Sequence, residues 1–115
     1  MLDQNDISIG VVVPAHRSSE TISATLDAIV AQTVAVADAI VVLDGPDDAT
    51  EAAVRAHPSG IESTILAENT GGPAAPRNAG AARLLARGSI DAIWFLDADD
   101  VPDSRFVSVV RDLAR

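Results

Sequence analysis

Asp91-Ala92-Ile93-Trp94-Phe95-Leu96-Asp97-Ala98-Asp99-Asp100 is an apolar run that stops abruptly on three carboxylates in four residues. Successive apolar residues without alternation are the pattern of a strand covered on both faces, which is typical of parallel sheets. The same pattern occurs twice more. Residues 7–13 form a β-branched run closed by Pro14 and followed by Ala15-His16-Arg17, and residues 39–43 run into Asp44-Gly45-Pro46-Asp47-Asp48. A weaker, alternating strand is predicted at 61–66.

Helical patterns separate these strands. Ile22, Leu26, Ile29 and Val30 recur on one face after Ser18 or Ser19, either of which can cap, with Glu20 in the first turn. Asp48 with Glu51 three residues on resembles a capping box, and the helix it opens ends near His57-Pro58. A third helix is expected from about Arg77 to Arg87, with Pro76 at its first position and Gly88 at its end. Pro102 breaks the chain, Asp103 can cap, and Phe106, Val107, Val110 and Leu113 line a last helix. The order β-α-β-α-β-α-β-α predicts one α/β domain with four mainly parallel strands.

Composition narrows the function classes. The 115 residues suit one domain, and 48% are hydrophobic, enough for a core of Val, Ile, Leu and Ala. The net charge is −9, and all eight basic residues are arginines. So acidic a surface is a poor partner for nucleic acid or anionic membranes. Without cysteine, disulfides, thiolate metal sites and cysteine nucleophiles are excluded. The polar stretch 1–6 does not read as a signal peptide and no apolar run reaches spanning length. A cytoplasmic location is expected, with membrane association open for a longer parent.

In an open parallel sheet, ligands bind beyond the carboxyl ends of the strands. Four polar groups are predicted to converge there: His16 and Arg17, Asp44, then Asn69 with Arg77 and Asn78, and finally Asp97, Asp99 and Asp100. Like charges about 4 Å apart cost on the order of 4 kcal/mol at an effective dielectric near 20. A divalent cation with a taste for hard oxygen, Mn2+ or Mg2+, would relieve that repulsion at a strand end. The alternative is a solvated turn leading to the Asp103 cap. Asp44 suits either a base or ribose donor or the Gly45-Pro46 turn. Arg77, at a helix start, suits either phosphate or an ion pair with a nearby carboxylate. His16 suits stacking on a base or an exposed loop. Asp47 and Asp48 are assigned to turn and cap, and His57 to structure. Gly71-Gly72 is no phosphate loop, since no Gly-Lys-Ser follows.

Four segments in order resemble glycosyltransferase family 2. They are Val12-Val13-Pro14-Ala15-His16-Arg17; Val41-Val42-Leu43-Asp44-Gly45; Asn69-Thr70-Gly71-Gly72 with Pro76-Arg77-Asn78-Ala79-Gly80; and Phe95-Leu96-Asp97-Ala98-Asp99-Asp100. The resemblance spans residues 7–113 and implies the Rossmann-like, nucleotide-binding half of a GT-A domain. His16 stands where the family usually has an aromatic residue on the base, and Leu43 replaces the first aspartate of the Asp-Asp-Gly-Ser motif.

The resemblance implies nucleotide binding by Pro14, His16, Asp44, Arg77 and Asp97. Asp44 would contact the base, often uracil, and Asp97 the ribose or metal shell. It makes Asp99 the principal metal ligand, with Asp100 beside it. The reaction it implies is inverting transfer from a nucleotide diphosphate sugar, UDP-linked by expectation, to an acceptor hydroxyl. That acceptor would be a sugar, a polysaccharide or a lipid-linked group. Family catalytic domains are roughly twice this length, so the sequence reads as a truncated domain, residues 1–115, without the acceptor half. The general base is expected there, and the fragment alone is expected to bind donor and metal but transfer sugar poorly or not at all. Rival readings are a nucleotidyltransferase, a receiver-like signalling module and a noncatalytic binding or assembly domain. The first usually has a Gly-rich basic loop after strand one, and the second needs a lysine partner; neither is present.

Overall fold

A computed structural model describes residues 7–113. The stretch 1–6, which does not read as a signal peptide, lies outside the described residues. Strands and helices alternate throughout: β1 (Ile9–Ala15), α1 (Ile22–Val30), β2 (Asp38–Leu43), α2 (Asp48–Ala56), β3 (Glu62–Ile65), α3 (Ala74–Ala86), β4 (Ala92–Phe95) and α4 (Phe106–Leu113). The strands form one sheet in the order β3-β2-β1-β4, and all three pairings are parallel.

Side-chain alternation along β1 and β2 builds a core on each face. Val11, Val13, Val41 and Leu43 meet Ile22, Leu26 and Ile29 of α1 and Val54 of α2. Val12, Ile40 and Val42 meet Leu84 of α3. The central pair is therefore covered on both sides, as its uninterrupted apolar sequence requires. Each such valine contributes about 1.5–3 kcal/mol when fully buried, counted against an extended chain.

The edges behave differently. β4, expected to be covered on both faces, has half-exposed residues and ends on Phe95, which is 43% exposed. It pairs only with β1, so one of its sides has no strand neighbour among the described residues. Trp94 covers part of the strand by stacking on Phe106, with ring centroids 4.2 Å apart. β3 is likewise only partly buried, in line with its weaker pattern.

Pro14 does not close β1 but lies within it, paired in register with Val42. The Leu96 N–H donates to the Val12 carbonyl, and the Asp44 N–H to that of Ala15. Even-numbered backbone groups of β1 thus face β4 and odd-numbered ones face β2. The N–H that proline lacks would point to the β4 side, past the last rung, so no ladder bond is lost.

Helix starts differ from the expected ones. Neither Ser18 nor Ser19 caps α1 by side chain; Thr21 precedes the helix, and the Ser18 carbonyl accepts from the N–H groups of Thr21 and Ile22. Glu20 therefore lies before the helix. Asp47, not Asp48, caps α2 by accepting from the Thr50 N–H, because Thr50 also donates its hydroxyl to the Asp47 carboxylate at 2.7 Å. Glu51 pairs with Arg55 instead of closing a capping box. α3 begins at Ala74, so Pro76 is its third residue rather than its first. None of the first few helical N–H groups has a partner inside the helix, so proline is tolerated there too. Ahead of α4, Asp103 accepts from the Arg105 N–H. His57 is structural as expected, buried at the end of α2 with Nε2 2.6 Å from Asp27 Oδ1 of α1. Among the described residues, no helix is long and apolar enough to cross a membrane.

Candidate functional site

The chain leaves β1 to build β2 on one side, then returns with β4 on the other. Such a reversal opens a crevice at the carboxyl ends of the strands. A cleft of about 360 Å³ lies there, and its walls include Pro14 near the end of β1 and His16 after it, Asp44 after β2, Asn69, Gly71 and Gly72 before α3, and Asp97 after β4. All four predicted segments thus meet at one edge.

Asp44 is the most constrained group of the cleft, only 6% exposed. Its Oδ1 accepts the Thr70 N–H at 2.9 Å and the Thr70 hydroxyl at 2.7 Å. The Thr70 amide is the main reason its carboxyl ionises more readily than an ordinary aspartate; burial opposes this, and the Thr70 hydroxyl and His16 add to it. Gly45 makes the arrangement feasible. Its φ of 94° suits glycine, and a Cβ there would come within 2.8 Å of the Asn69 backbone nitrogen. The loop carrying Thr70 can therefore close directly over Asp44.

The β1–α1 loop is tied to α2. Arg17 takes a left-handed conformation, φ 50°, and donates its N–H to Asp47 at 2.7 Å. The Ser18 N–H donates to the Thr50 hydroxyl at 3.0 Å. Burial, the largest single influence on Asp47, opposes its ionisation, but the Thr50 hydroxyl and the Arg17 and Thr50 amides together outweigh it, so its carboxyl also ionises more readily than an ordinary aspartate. His16 is exposed on this loop, its Nε2 3.3 Å from the Asn69 amide nitrogen.

Depressed folded-state values for Asp44 and Asp47 mean that the unfolded chain binds protons more tightly. Their stabilisation is complete above the ordinary aspartate range near 3.9 and fades as pH falls through the lower folded values. The melting-temperature gap between the parent and an Asp44→Asn variant should hold constant above about pH 5 and shrink below about pH 4. Calorimetric melts from pH 7 to pH 2.5 read this directly, and a gap independent of pH would reject it.

At the lip of the cleft, one ligand oxygen each from Asp97, Asp99 and Asp100 lies within 4.8 Å of the others. All three residues are exposed, which corrects the expectation of carboxylates crowded at a buried strand end. Water already relieves much of their repulsion, so their case as a cation site rests on geometry rather than burial. Oxygens across an octahedral ion with bonds of about 2.1 Å lie roughly 4.2 Å apart, within reach of small side-chain rotations. Leu96 and Ala98 point into the core between them, which turns Asp97 and Asp99 outward. Arg77, in the first turn of α3, places its guanidinium 3.7 Å from Asp97 and 5.8 Å from the centre of the Phe95 ring. Neither Arg77 nor Asp99 lines the cleft itself; both stand beside Asp97 at its rim.

Sequence reasoning did not single out Thr70, although it provides both bonds to Asp44. The signal was the Asn-Thr-Gly-Gly cluster, where the Asn69 side chain also accepts from the Gly71 N–H at 2.7 Å.

Residues 10–114 match the family model for glycosyl transferase family 2. The chain belongs to glycosyl transferase family 2. The amylovoran biosynthesis glycosyltransferase AmsB of Erwinia amylovora is 39% identical over 99 residues. That match covers 83% of this chain but 32% of AmsB, so this family 2 chain spans about a third of its relative's length. Among solved structures, S. aureus TarS superimposes with a TM-score of 0.78 at 24% identity, over 92% of this chain and 19% of that one. A second TarS structure, residues 1–349 in complex with UDP, gives 0.74 at 24% identity over 94% of this chain and 31% of its own. At that identity the likeness establishes the fold alone: the α/β sheet of the GT-A type that the sequence implied.

Proposed function

We propose that this domain holds the nucleotide diphosphate sugar donor of a glycosyltransferase, with the cation at Asp99 and Asp97 and the nucleotide along the cleft. One observation carries the reading. The buried Asp44 lines, and the acidic triad borders through Asp97, one cleft at the switch point of a parallel sheet, in a chain of this family.

In this reading, Asp44 presents its second carboxylate oxygen to a base N–H, since Thr70 occupies Oδ1. Pro14 and the exposed His16 ring form the apolar wall against which a base stacks. Asp97 accepts from a ribose hydroxyl or joins the cation. Arg77 turns from Asp97 toward the diphosphate, a short move from a pair spaced at 3.7 Å. Bound Mn2+ or Mg2+ would neutralise charge building on the leaving diphosphate. The proposed transfer is inverting. An acceptor hydroxyl attacks the anomeric carbon, the bond to the diphosphate oxygen breaks, and a general base takes the hydroxyl proton. As the family resemblance implies, that base is assigned to a further part of the protein, together with the acceptor site. Residues 1–115 are accordingly the donor-binding part of a larger GT-A domain.

UDP is the first probe, because a protein of the same fold was crystallised with it. Titration calorimetry should find UDP bound at least about 10-fold more tightly with saturating Mn2+ than with EDTA, a gain of about 1.4 kcal/mol. Equal affinity in both buffers would reject the metal-dependent reading.

A further inference from the structure

We propose that Thr25, inside the core, is a positioning residue that holds the acidic tip in its cation-binding shape. The proposal rests on the reading of that tip as a metal site. Thr25 lies in the middle of α1 on the same stripe as Ile22, Leu26 and Ile29, and it is completely buried. A hydroxyl in that stripe needs a partner. It donates to the Ala98 carbonyl at 3.0 Å, across 73 residues of sequence. That carbonyl belongs to the residue between Asp97 and Asp99.

Little else fixes this backbone. The last rung of the sheet is the Leu96 N–H on the Val12 carbonyl. Beyond it the tip closes on itself, with the Asp100 N–H on the Asp97 carbonyl at 3.0 Å and the Asp97 N–H on Asp100 Oδ2 at 3.3 Å. On the far side, Gln32, just beyond the end of α1, grips the chain again. Its amide donates to the Asp103 carbonyl at 2.7 Å and accepts the Val107 N–H at 3.0 Å. The three carboxylates are therefore mounted on a short arch, anchored to α1 at Ala98 and to the segment just after α1 at Asp103. Groups one contact removed from a metal ligand commonly change metal affinity 10–100-fold when altered. Thr25 contacts the backbone between two of the proposed ligands rather than a ligand itself, so the lower end of that range applies.

Thr25→Val keeps the side-chain shape and deletes the hydroxyl. The test compares UDP affinity of the chain with saturating Mn2+ and with EDTA. In Thr25→Val the gain conferred by Mn2+ should fall by about 10-fold, while affinity in EDTA stays at the parental value. Thr25→Ser, which keeps the donor, should recover most of the gain. An unaltered Mn2+ gain in Thr25→Val would overturn the proposal, as would equal losses in the two buffers. Should Thr25→Val not fold at the assay temperature, Thr25→Ala takes its place, and failure of both to fold assigns Thr25 to core stability and also overturns the proposal. Asp99→Ala separates the two layers of argument. A retained Mn2+ gain there removes the metal site itself, whereas its loss there beside a retained gain in Thr25→Val removes only the brace.

Discussion

Asp99→Ala should abolish the Mn2+-dependent part of UDP binding, the whole gain of at least about 10-fold at saturating metal, with the melting temperature unchanged or raised. The two halves of this expectation come from different physics. In metal affinity, losing a direct carboxylate ligand should exceed the 10–100-fold effects of groups that touch the metal only through another residue. The fold, by contrast, loses nothing that it uses. Asp99 is exposed, while the core contacts of this segment are made by Leu96 and Ala98, which precede it. Removing one of three neighbouring carboxylates also relieves repulsion in a chain of net charge −9. Calorimetric titration with UDP, in Mn2+ and in EDTA, paired with thermal melts, measures both halves. Parental Mn2+ dependence in Asp99→Ala would remove the residue from the site.

Asp97 makes a useful contrast. Arg77 stands 3.7 Å from Asp97 but makes no ion pair with Asp99 among the described residues. Before a ligand arrives, the guanidinium and a cation compete for the same carboxylate. Once a diphosphate occupies the cleft, it offers Arg77 a better bidentate partner and frees Asp97. In the proposed site, cation and nucleotide should therefore bind cooperatively, each favouring the other.

How much of this was legible in the sequence depended on whether the signal was local. The central strands were readable because Val11-Val12-Val13 and Val41-Val42-Leu43 have to be covered on both faces, and a run of β-branched residues says so directly. The convergence of His16, Asp44 and Asp97 was readable because carboxyl ends of parallel strands share an edge whatever the strand order. The order itself was not readable: nothing local to β4 encodes its place beside β1, and so its half-exposed state was not foreseen. Pro76 misled the start of α3 because the whole first turn lacks internal N–H partners, so proline marks that turn and not its first residue. Thr70 and Thr25 act through contacts 26 and 73 residues away. The first left its trace in a Gly-rich turn cluster, and the second as a hydroxyl on an otherwise apolar helical stripe.

The largest loss of stability is expected at Gly80, where α3 crosses the sheet. A Cβ at this position would come 2.5 Å from Val12 Cγ1 and 3.0 Å from Val42 Cγ2. Both valines are fully buried, and β-branched side chains have little freedom to swing aside. Alanine in mid-helix should gain about 1 kcal/mol over glycine from backbone propensity. Overpacking a closed core costs typically 1–3 kcal/mol for added methylenes, and more when the neighbours cannot move. The contact term should win. Gly80→Ala is expected to lower stability by about 1–2 kcal/mol and Gly80→Val by about 3 kcal/mol or more, against a total of about 5–15 kcal/mol for a domain. For a chain of this size, each kcal/mol moves the melting temperature by roughly 4–8 °C.

Val12→Ala should partly rescue Gly80→Ala, because the double variant restores the volume that the first substitution takes, and the two effects should be strongly non-additive. A melting temperature raised by Gly80→Ala would mean that the helix and sheet are not in the close contact described. The same spacing bears on the site. Arg77 lies one turn before Gly80 on α3, so a helix lifted off the sheet carries the guanidinium away from Asp97. Gly80→Ala should therefore weaken UDP binding even at temperatures where the variant remains folded.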